Sequence, residues 1–336
     1  MYNNPQINSV VKILKRNKTN YWTGNECKKF EKEFSRYHNV KYSVAVSNGS
    51  VALEIAIRSL NLKKGSEVVV TPRSFIISAS AVINLGYKPV FADVDNNGNL
   101  SSNEISKVLS NKTKAIVVVH LNGLSCDLDP IIELAKRKKI YLIEDCSQAH
   151  GARYKNKPVG SFGDIATWSF CQDKIISTGG EGGMISTNRK LFWEKCWSYK
   201  DHGKNYFKVF KKKHKTGFKW LHDYYGSNYR MTEIQATIGR YQLKNLDKQI
   251  KDRNNVAKIF SNELKEFIGE NKLFRQAKCK TKTCKNAYYR INYFLNENKN
   301  NQLKILKDIN KKNIKCLVGP CPEIYREAIF RKIFKK

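Results

Sequence analysis

A lysine and an acid stand where they could act together in this sequence. Lys174 follows an apolar run that ends at Ser169, and it precedes a glycine-rich loop, Gly179–Gly183. Asp145 closes a second apolar run, which starts at Ile140. Ligands of open α/β sheets bind beyond the carboxyl ends of the strands, so we expect both side chains to face one site. A lysine can form an imine with an aldehyde, and an acid can keep a pyridine nitrogen protonated. This pairing suits pyridoxal 5'-phosphate.

Each residue also has an ordinary interpretation. Lys174 is one of 48 lysines, most of which we expect to be solvated, and Asp145 could cap a helix. Their shared position at strand ends favours the cofactor site. The segment Ser47–Ser50 adds to it, because Gly49 permits a tight turn into a helix whose free N–H groups suit a phosphate. Such turns are common, so the segment counts only together with the lysine and the acid.

The elements that must position these residues are seven short apolar runs. Most are continuous rather than alternating, as expected for strands that are buried on both faces. Helical patterns lie between several of them, which predicts an α/β fold with a mostly parallel seven-stranded sheet and helices on both faces. The predicted strands are Tyr42–Ser47, Glu67–Thr71, Lys88–Asp93, Ala115–His120, Ile140–Asp145, Ile165–Ser169 and Gly183–Thr187. The helical patterns include Ser50–Leu60, Ser74–Leu85 and Asp129–Lys138.

The pattern changes after the seventh run. A long loop, Asp201–Ser227, is of a length that is usually functional or mobile. A long helical stretch then leads into a smaller α+β region. We therefore predict a large cofactor-binding domain with an N-terminal arm over residues 1–245, and a small C-terminal domain over residues 246–336. The other elements predicted here are the helices Leu191–Tyr199, Met231–Leu243, Leu246–Leu264 and Gln302–Lys312 and the strand Ala287–Leu295.

The charge of the chain is strongly positive. Its 336 residues carry a formal net charge of +33, from 62 basic and 29 acidic residues. Such a charge could indicate an RNA-binding protein. However, the lysines are spread along the chain and no nucleic-acid motif accompanies them, so we expect no nucleic-acid partner. A basic field would instead speed the encounter with a phosphate-bearing substrate.

The sequence shows neither a membrane span nor a secretory signal. It has no run of about 18 apolar residues, and the N-terminus lacks a basic-then-apolar pattern, so we expect a cytoplasmic protein with no membrane partner.

Nine scattered cysteines, an odd number, indicate reduced thiols. The pairs Cys279/Cys284 and Cys316/Cys321 are not spaced like zinc ligands and lack nearby histidines, so we expect no metal.

Nine segments together resemble the sugar aminotransferases of the DegT/DnrJ/EryC1/StrS family, within the fold-type I pyridoxal phosphate enzymes. They occur in the family's order and cover most of residues 20–265. Together they are highly specific, although no single segment would be. The segments are Val44–Leu53, Val70–Phe75, Val90–Val94, His120–Gly123, Ile143–Ala152, Gly160–Asp164, Ser169–Gly183, Asp201–Lys204 and Gly226–Glu233.

The resemblance implies a role for individual residues. Lys174 matches the catalytic Schiff-base lysine, and Asp145 matches the acid that pairs with the pyridine nitrogen. Asn228 matches an asparagine that reaches the phosphate of the neighbouring subunit, which implies a homodimer with shared active sites. The other implied cofactor contacts are Gly49, Ser50 and Ser169 at the phosphate, Phe75 stacked on the ring, and Gln148 on its other side. Glu181 and Tyr229 are expected near the sugar substrate.

The implied activity is pyridoxal phosphate-dependent transamination of a nucleotide-linked keto-sugar for polysaccharide or glycan biosynthesis. Glutamate is the expected amino donor. After the donor displaces Lys174 from the cofactor, the freed amine would move a proton. Some relatives are dehydratases with histidine at the lysine position, so Lys174 favours transamination. The sequence leaves open the sugar, the carbon, the nucleotide and the identity of the donor.

The sequence departs from the family pattern near its end. Gly319–Tyr325 resembles a segment that is normally followed by a further helix and strand, whereas this sequence ends at Lys336. We therefore expect the small domain to be incomplete. The alternative function is a truncated, non-catalytic remnant that binds the cofactor or a partner. Retention of Lys174 and Asp145 favours the enzyme.

Overall fold

A seven-stranded sheet organises the computed structural model, which describes residues 2–268, 274–295, 299–319 and 323–334. Its strands are β1 (Tyr42–Val46), β2 (Glu67–Val70), β3 (Lys88–Phe91), β4 (Thr113–Val119), β5 (Tyr141–Asp145), β8 (Ile165–Ser169) and β9 (Gly183–Thr187). Two further pairs are β6 (Arg153–Tyr154) with β7 (Lys157–Pro158), and β10 (Phe274–Gln276) with β11 (Tyr293–Leu295). The order in the large sheet is β1-β9-β8-β5-β4-β2-β3. Six strands of this sheet run in one direction and β9 runs in the opposite direction, so the sheet is mostly parallel.

Helices follow most strands and cover both faces of the sheet. The helices of the described residues are α1 (Asn4–Lys15), α2 (Glu26–Tyr37), α3 (Gly49–Ser59), α4 (Ile77–Asn84), α5 (Ser102–Val108), α6 (Leu128–Lys138), α7 (Lys190–Lys200), α8 (Tyr206–Phe210), α9 (Glu233–Lys244), α10 (Leu246–Ile268), α11 (Lys299–Lys311) and α12 (Ala328–Phe334). Side-chain caps define several starts. Thr232, for example, forms a capping box with Gln235 at the start of α9. No helix in this part of the chain has the length and apolar character needed to span a membrane.

The hydrophobic core lies in two layers, one on each face of the sheet. Along β4, Ile116 and Val118 belong to one layer, whereas Ala115 and Val117 belong to the other. Successive side chains of a strand point to opposite faces, so a strand with helices on both sides needs apolar residues at every position. This explains why the strands read as continuous apolar runs, and it confirms the predicted fold class.

All seven predicted strands are present: two have the predicted bounds, and the ends of the other five differ by at most two residues. Three expectations are corrected. The predicted strand Ala287–Leu295 is a strand only at its end, because Ala287 donates instead to the Gly123 carbonyl. The predicted loop Asp201–Ser227 contains the short helix α8. Cys279 and Cys284 form a disulfide, against the expectation of reduced thiols.

The described end of the chain returns to the large sheet. Ile324 and Phe330 are buried in the core layer that also holds Val68 and Val70 of β2. The Ile324 N–H donates to the Pro72 carbonyl at 2.7 Å. The division at residue 245 and the incompleteness of the small domain stay predictions, and Cys321 lies outside the described residues.

Candidate active site

The motif segments meet at one edge of the sheet. Gly183, at the start of β9, pairs with Val46 at the end of β1 and with Ser169 at the end of β8. Asp145, at the end of β5, pairs with Thr167 of β8. The turn after β1, the acid after β5 and the loop that carries the lysine after β8 therefore share this edge, as the sequence predicts.

The turn between β1 and α3 forms a close backbone cradle. Asn48 caps α3 by accepting the Val51 N–H at 2.9 Å. The preceding N–H groups, of Gly49 and Ser50, have no acceptor among the described residues. A Cβ at position 49 would lie 2.5 Å from the Ser169 Cβ, so glycine is needed for the turn to approach that hydroxyl. Free N–H groups at the helix start beside a serine hydroxyl suit a bound phosphate.

Two consecutive acids end β5. The first, Glu144, has hydrogen-bond donors at both of its carboxylate oxygens. It is completely buried. His120 Nε2 lies 3.1 Å from one carboxylate oxygen, and the N–H groups of Gly160, Phe162 and Gly163 donate to the two oxygens at 2.6–2.8 Å. Burial would raise the pKa of Glu144, but these hydrogen bonds outweigh it and hold the pKa below its ordinary value. Glu144 therefore ties the end of β5 to the loop before β8.

His120, Glu144 and Cys146 bring metal-ligand atoms within 4.8 Å of one another. The Cys126 N–H donates to His120 Nδ1 at 3.1 Å, so Nε2 carries the ring proton and donates to Glu144. Both ring nitrogens and both carboxylate oxygens already have protein partners. The group is thus a hydrogen-bond network that braces β4 against β5.

Asp145, the next residue, lies in the opposite electrostatic situation. Its side chain is buried, and one oxygen accepts the Ser147 N–H at 3.0 Å. Burial raises the pKa of Asp145 above its ordinary value, and the hydrogen bonds from the side chain and the N–H of Ser147 and the charge of Lys174 oppose this only in part. A cationic ring nitrogen beside this carboxylate would stabilise its negative charge, which the surrounding protein groups offset only in part. The residues at this edge thus fit pyridoxal phosphate.

Lys174 points its amine into a small polar cluster. Its side chain is 16% exposed, and Nζ lies 3.3 Å from Asp173 Oδ2 and 3.4 Å from the Tyr289 hydroxyl. The Tyr289 hydroxyl donates to the same Asp173 oxygen. Burial lowers the pKa of Lys174, but Tyr289 and Asp173 outweigh it, so the pKa is raised. Our sequence analysis singled out neither residue. Adjacency to Lys174 could have marked Asp173, whereas nothing local marks Tyr289.

The comparison with known families agrees with this geometry. The model of the DegT/DnrJ/EryC1/StrS aminotransferase family matches residues 2–336. The chain belongs to this family. Among its relatives, GDP-perosamine synthase of Escherichia coli O157:H7 is 40% identical over 250 residues, which are 74% of this chain and 66% of that protein. The chain therefore spans just under two thirds of that relative.

Two further matches extend over nearly the whole chain. An uncharacterised protein of Methanocaldococcus jannaschii is 32% identical over 98% of this chain and 84% of its own length. The solved structure of an aminotransferase from Psychrobacter cryohalolentis is 41% identical, with a TM-score of 0.95. That alignment covers 99% of this chain and 86% of the other chain. The fold of the family is thus present over almost all of the sequence.

The contacts of the other residues to which the resemblance assigned a role define their position in the site less closely. Gln148 is buried, and its Oε1 accepts the Asn122 N–H at 2.8 Å, which holds the amide at the edge of the site. Phe75 is 66% exposed. Glu181 is exposed, and no described contact joins its side chain to Lys174 or Asp145. Their predicted roles stay predictions.

Asn228 and Tyr229 lie beside the cradle through their backbone. The Ser47 N–H donates to the Tyr229 carbonyl at 2.9 Å, and Asn228 forms a bridge with Asp201. The Asn228 side chain is exposed. Its Oδ1 accepts the Arg230 N–H at 3.5 Å. The predicted reach of Asn228 to a neighbouring subunit stays a prediction.

A buried charge network, which our sequence analysis missed, supports this segment. Asp201 Oδ1 accepts from Arg230 at 2.9 Å and from Lys204 at 3.0 Å. Lys200 is completely buried, with Nζ 3.8 Å from Glu31 and 3.5 Å from the centroid of an aromatic ring in the N-terminal part of the chain. Burial lowers the pKa of Lys200 and raises that of Glu31. Because its members lie up to about 200 positions apart, no local pattern could have shown it.

Proposed function

We propose that this chain is a pyridoxal phosphate-dependent aminotransferase that acts on a keto-sugar carried on a nucleotide. The observation that carries the proposal is the edge of the sheet where Lys174, a buried and undercompensated Asp145, and the cradle at Gly49 come together. Membership in an aminotransferase family supports it. When bound, the cofactor supplies an aldehyde that takes up an amino group and a ring that absorbs negative charge.

Each residue of the site has a task in this proposal. Asp145 remains ionised against the ring nitrogen and keeps it cationic. Lys174 would hold the cofactor through Nζ at rest, and its free amine would carry a proton during the reaction. The other residues hold the cofactor in place: Gly49, Ser50 and Ser169 at the phosphate, Phe75 and Gln148 on the two sides of the ring, and Asn228 at the phosphate of a partner subunit.

The proposed substrate is a GDP-linked keto-sugar, with glutamate as the amino donor. The relative named GDP-perosamine synthase supports this choice of nucleotide. A net charge of +33 would favour the approach of a nucleotide diphosphate. We further propose that the active form is a homodimer with shared sites and that its product serves the synthesis of a polysaccharide or another glycan.

The first test measures cofactor binding. Purified protein is mixed with pyridoxal phosphate, and the visible absorbance is recorded before and after borohydride. We expect a band in the wild-type protein that borohydride converts to a covalent adduct on Lys174, and no adduct in Lys174→Ala. The matched control is Lys190→Ala, since Lys190 is exposed on α7. A folded wild-type protein without such a band would contradict the proposal.

The second test measures transfer. Glutamate should convert the bound cofactor to its amine form, and a GDP-linked keto-sugar should convert it back with formation of an amino-sugar, detected by mass spectrometry. The same keto-sugar on dTDP is the comparison for the nucleotide. Cofactor binding without any transfer would favour the non-catalytic alternative, and faster transfer to the dTDP sugar would contradict the choice of GDP.

A further inference from the structure

Two residues far apart in sequence share one contact with the lysine amine. Asp173 precedes Lys174, whereas Tyr289 lies 115 positions beyond it. The three polar groups form a closed triangle: carboxylate to ammonium at 3.3 Å, ammonium to hydroxyl at 3.4 Å, and hydroxyl to carboxylate. The amine also lies 4.9 Å from the centroid of the Tyr289 ring, within the range of a cation–π contact. The amine is thus enclosed on two sides.

Backbone contacts hold Tyr289 in place. The segment that carries it docks on the turn after β4, where the Ala287 N–H donates to the Gly123 carbonyl at 3.0 Å. A Cβ at position 123 would lie 2.9 Å from the Tyr289 nitrogen, so the two backbones are packed as closely as glycine allows. Arg253 of α10 donates to the Tyr288 carbonyl at 3.0 Å. The backbone that carries Tyr289 is therefore positioned independently of Lys174.

We propose that Asp173 and Tyr289 form a receiving pair for the free amine of Lys174. The Asp173 carboxylate accepts a hydrogen bond from the ammonium. The Tyr289 hydroxyl donates to the same carboxylate and fixes its orientation. This inference rests on the proposed function, in which Lys174 alternates between a cofactor-bound and a free state. During the free state the pair holds Nζ and its proton inside the site, so the amine does not turn away to solvent. Asp173 and Tyr289 are thus positioning residues for the proton carrier.

The charges around the amine agree with this role. Burial raises the pKa of Asp173, but the bond from Tyr289 and the charge of Lys174 outweigh it, so the carboxyl stays ionised. Asp145 and His150 also feel the charge of Lys174, from β5 and from the loop that follows it. His150 is buried, and its pKa is lowered to about 3, so it is neutral near pH 7. Asp173 is therefore the anion in direct contact with the ammonium.

The test measures the proton affinity of Lys174 in the full chain after removal of cofactor with hydroxylamine. Trace acetic anhydride labels neutral amines, and mass spectrometry of the peptide that carries Lys174 gives its labelling rate against pH. A unit charge within hydrogen-bond distance typically shifts a pKa by 1–3 units. We expect Asp173→Asn to lower the Lys174 pKa by about one unit, so that labelling below that pKa is about tenfold faster. Asp173 is 48% exposed, so this change should not prevent folding.

Three further variants complete the design. Tyr289→Phe should lower the pKa by less than Asp173→Asn, because the hydroxyl is neutral. Its effect should be smaller when Asp173 is already replaced, because the hydroxyl acts partly through that carboxylate and partly through its own contact with the amine. Asp173→Glu should restore most of the wild-type profile. Tyr288→Phe is the matched control, because no described contact joins Tyr288 to the amine, and it should leave the profile unchanged.

An unchanged Lys174 profile in folded Asp173→Asn protein would overturn the receiving pair. Because the measurement uses cofactor-free protein, this outcome is separate from a failure of the proposed function. Absence of cofactor binding would contradict the proposed aminotransferase function, but the effect of Asp173 on the Lys174 amine could still be measured. A shifted profile together with normal cofactor binding supports both.

Discussion

Glu144 and Asp145, the adjacent carboxylates at the end of β5, lie on opposite faces of the sheet, and their pKa values are shifted in opposite directions. On one face Glu144 accepts four hydrogen bonds and its pKa is held low. On the other face the hydrogen bonds to Asp145 come from the side chain and the N–H of Ser147, and burial outweighs them and raises its pKa. Both side chains are buried. The difference therefore lies in the donors around each carboxylate and not in the depth of burial.

This contrast separates a structural acid, Glu144, from Asp145, the acid that we propose to be functional. A buried carboxylate with all of its lone pairs occupied stabilises the fold and has no capacity left for a ligand. A buried carboxylate with too few donors is destabilising on its own, so it binds a cation strongly when one arrives. Strained or undercompensated groups of this kind are common at functional sites. The contrast makes four measurable predictions.

The largest expected effect is on activity, from Asp145→Asn. Asparagine keeps the acceptor for the Ser147 N–H but cannot hold a ring nitrogen cationic, so the reaction of bound cofactor with glutamate should slow by about a hundredfold or more. Stopped-flow absorbance measures it. Asp129→Asn, an exposed acid on α6, is the control and should react at the wild-type rate. Equal rates in the two variants would break the assignment of Asp145 as the functional acid.

The second prediction concerns Glu144→Gln, which should act on stability instead. Replacing the carboxylate weakens the buried hydrogen bonds to it and leaves a buried N–H donor without an acceptor, at a cost of about 3 kcal/mol in the free energy of unfolding. Chemical denaturation measures this value. Glu133→Gln on exposed α6 surface should change it by less than about 0.5 kcal/mol. If Glu144→Gln protein is as stable as wild type, the four hydrogen bonds are not what holds this edge.

A third prediction compares how the two acids affect the stability of cofactor-free protein at different pH values. Because burial raises the pKa of folded Asp145, its stability contribution is complete below the unfolded pKa, about 4, and is lost as pH rises through the folded pKa. Asp145→Asn should therefore stabilise cofactor-free protein at pH 7, by roughly 1 kcal/mol, and not at pH 4. Glu144 has the opposite sign, since its folded pKa is lowered and its contribution is lost as pH falls. Denaturation curves at both pH values decide this; destabilisation by Asp145→Asn at pH 7 would contradict it.

The smallest expected effect is on the gain in stability that the cofactor brings. Any ligand that binds the folded state raises the melting temperature by mass action. Pyridoxal phosphate should raise it in wild-type protein and in Glu144→Gln, and by clearly less in Asp145→Asn, because the ring nitrogen loses its anionic partner. Differential scanning fluorimetry over a range of cofactor concentrations measures the difference. Equal gains in all three proteins would show that Asp145 does not contact the bound ring.

The sequence shows both acids, but it does not show which one is satisfied. Alternation along a strand predicts only that Glu144 and Asp145 face opposite sides of the sheet. The donors to Glu144 lie 16 to 24 positions away, and one of them is the side chain of His120. The position of Asp145 at the end of an apolar run and the resemblance to the family both singled it out in advance. The electrostatic reason for its role became visible in the folded chain.

The same division holds across the molecule. Local features are readable in the sequence: the seven apolar runs, the turn at Gly49 and the lysine of the glycine-rich loop. Each depends on backbone conformation and burial, which neighbouring residues determine. The partners of Lys174 are different, because Tyr289 reaches the amine only after a distant segment docks on the turn after β4. Hydrogen-bond partners and pKa values depend on such long-range contacts, so for these features the tertiary structure alone decides.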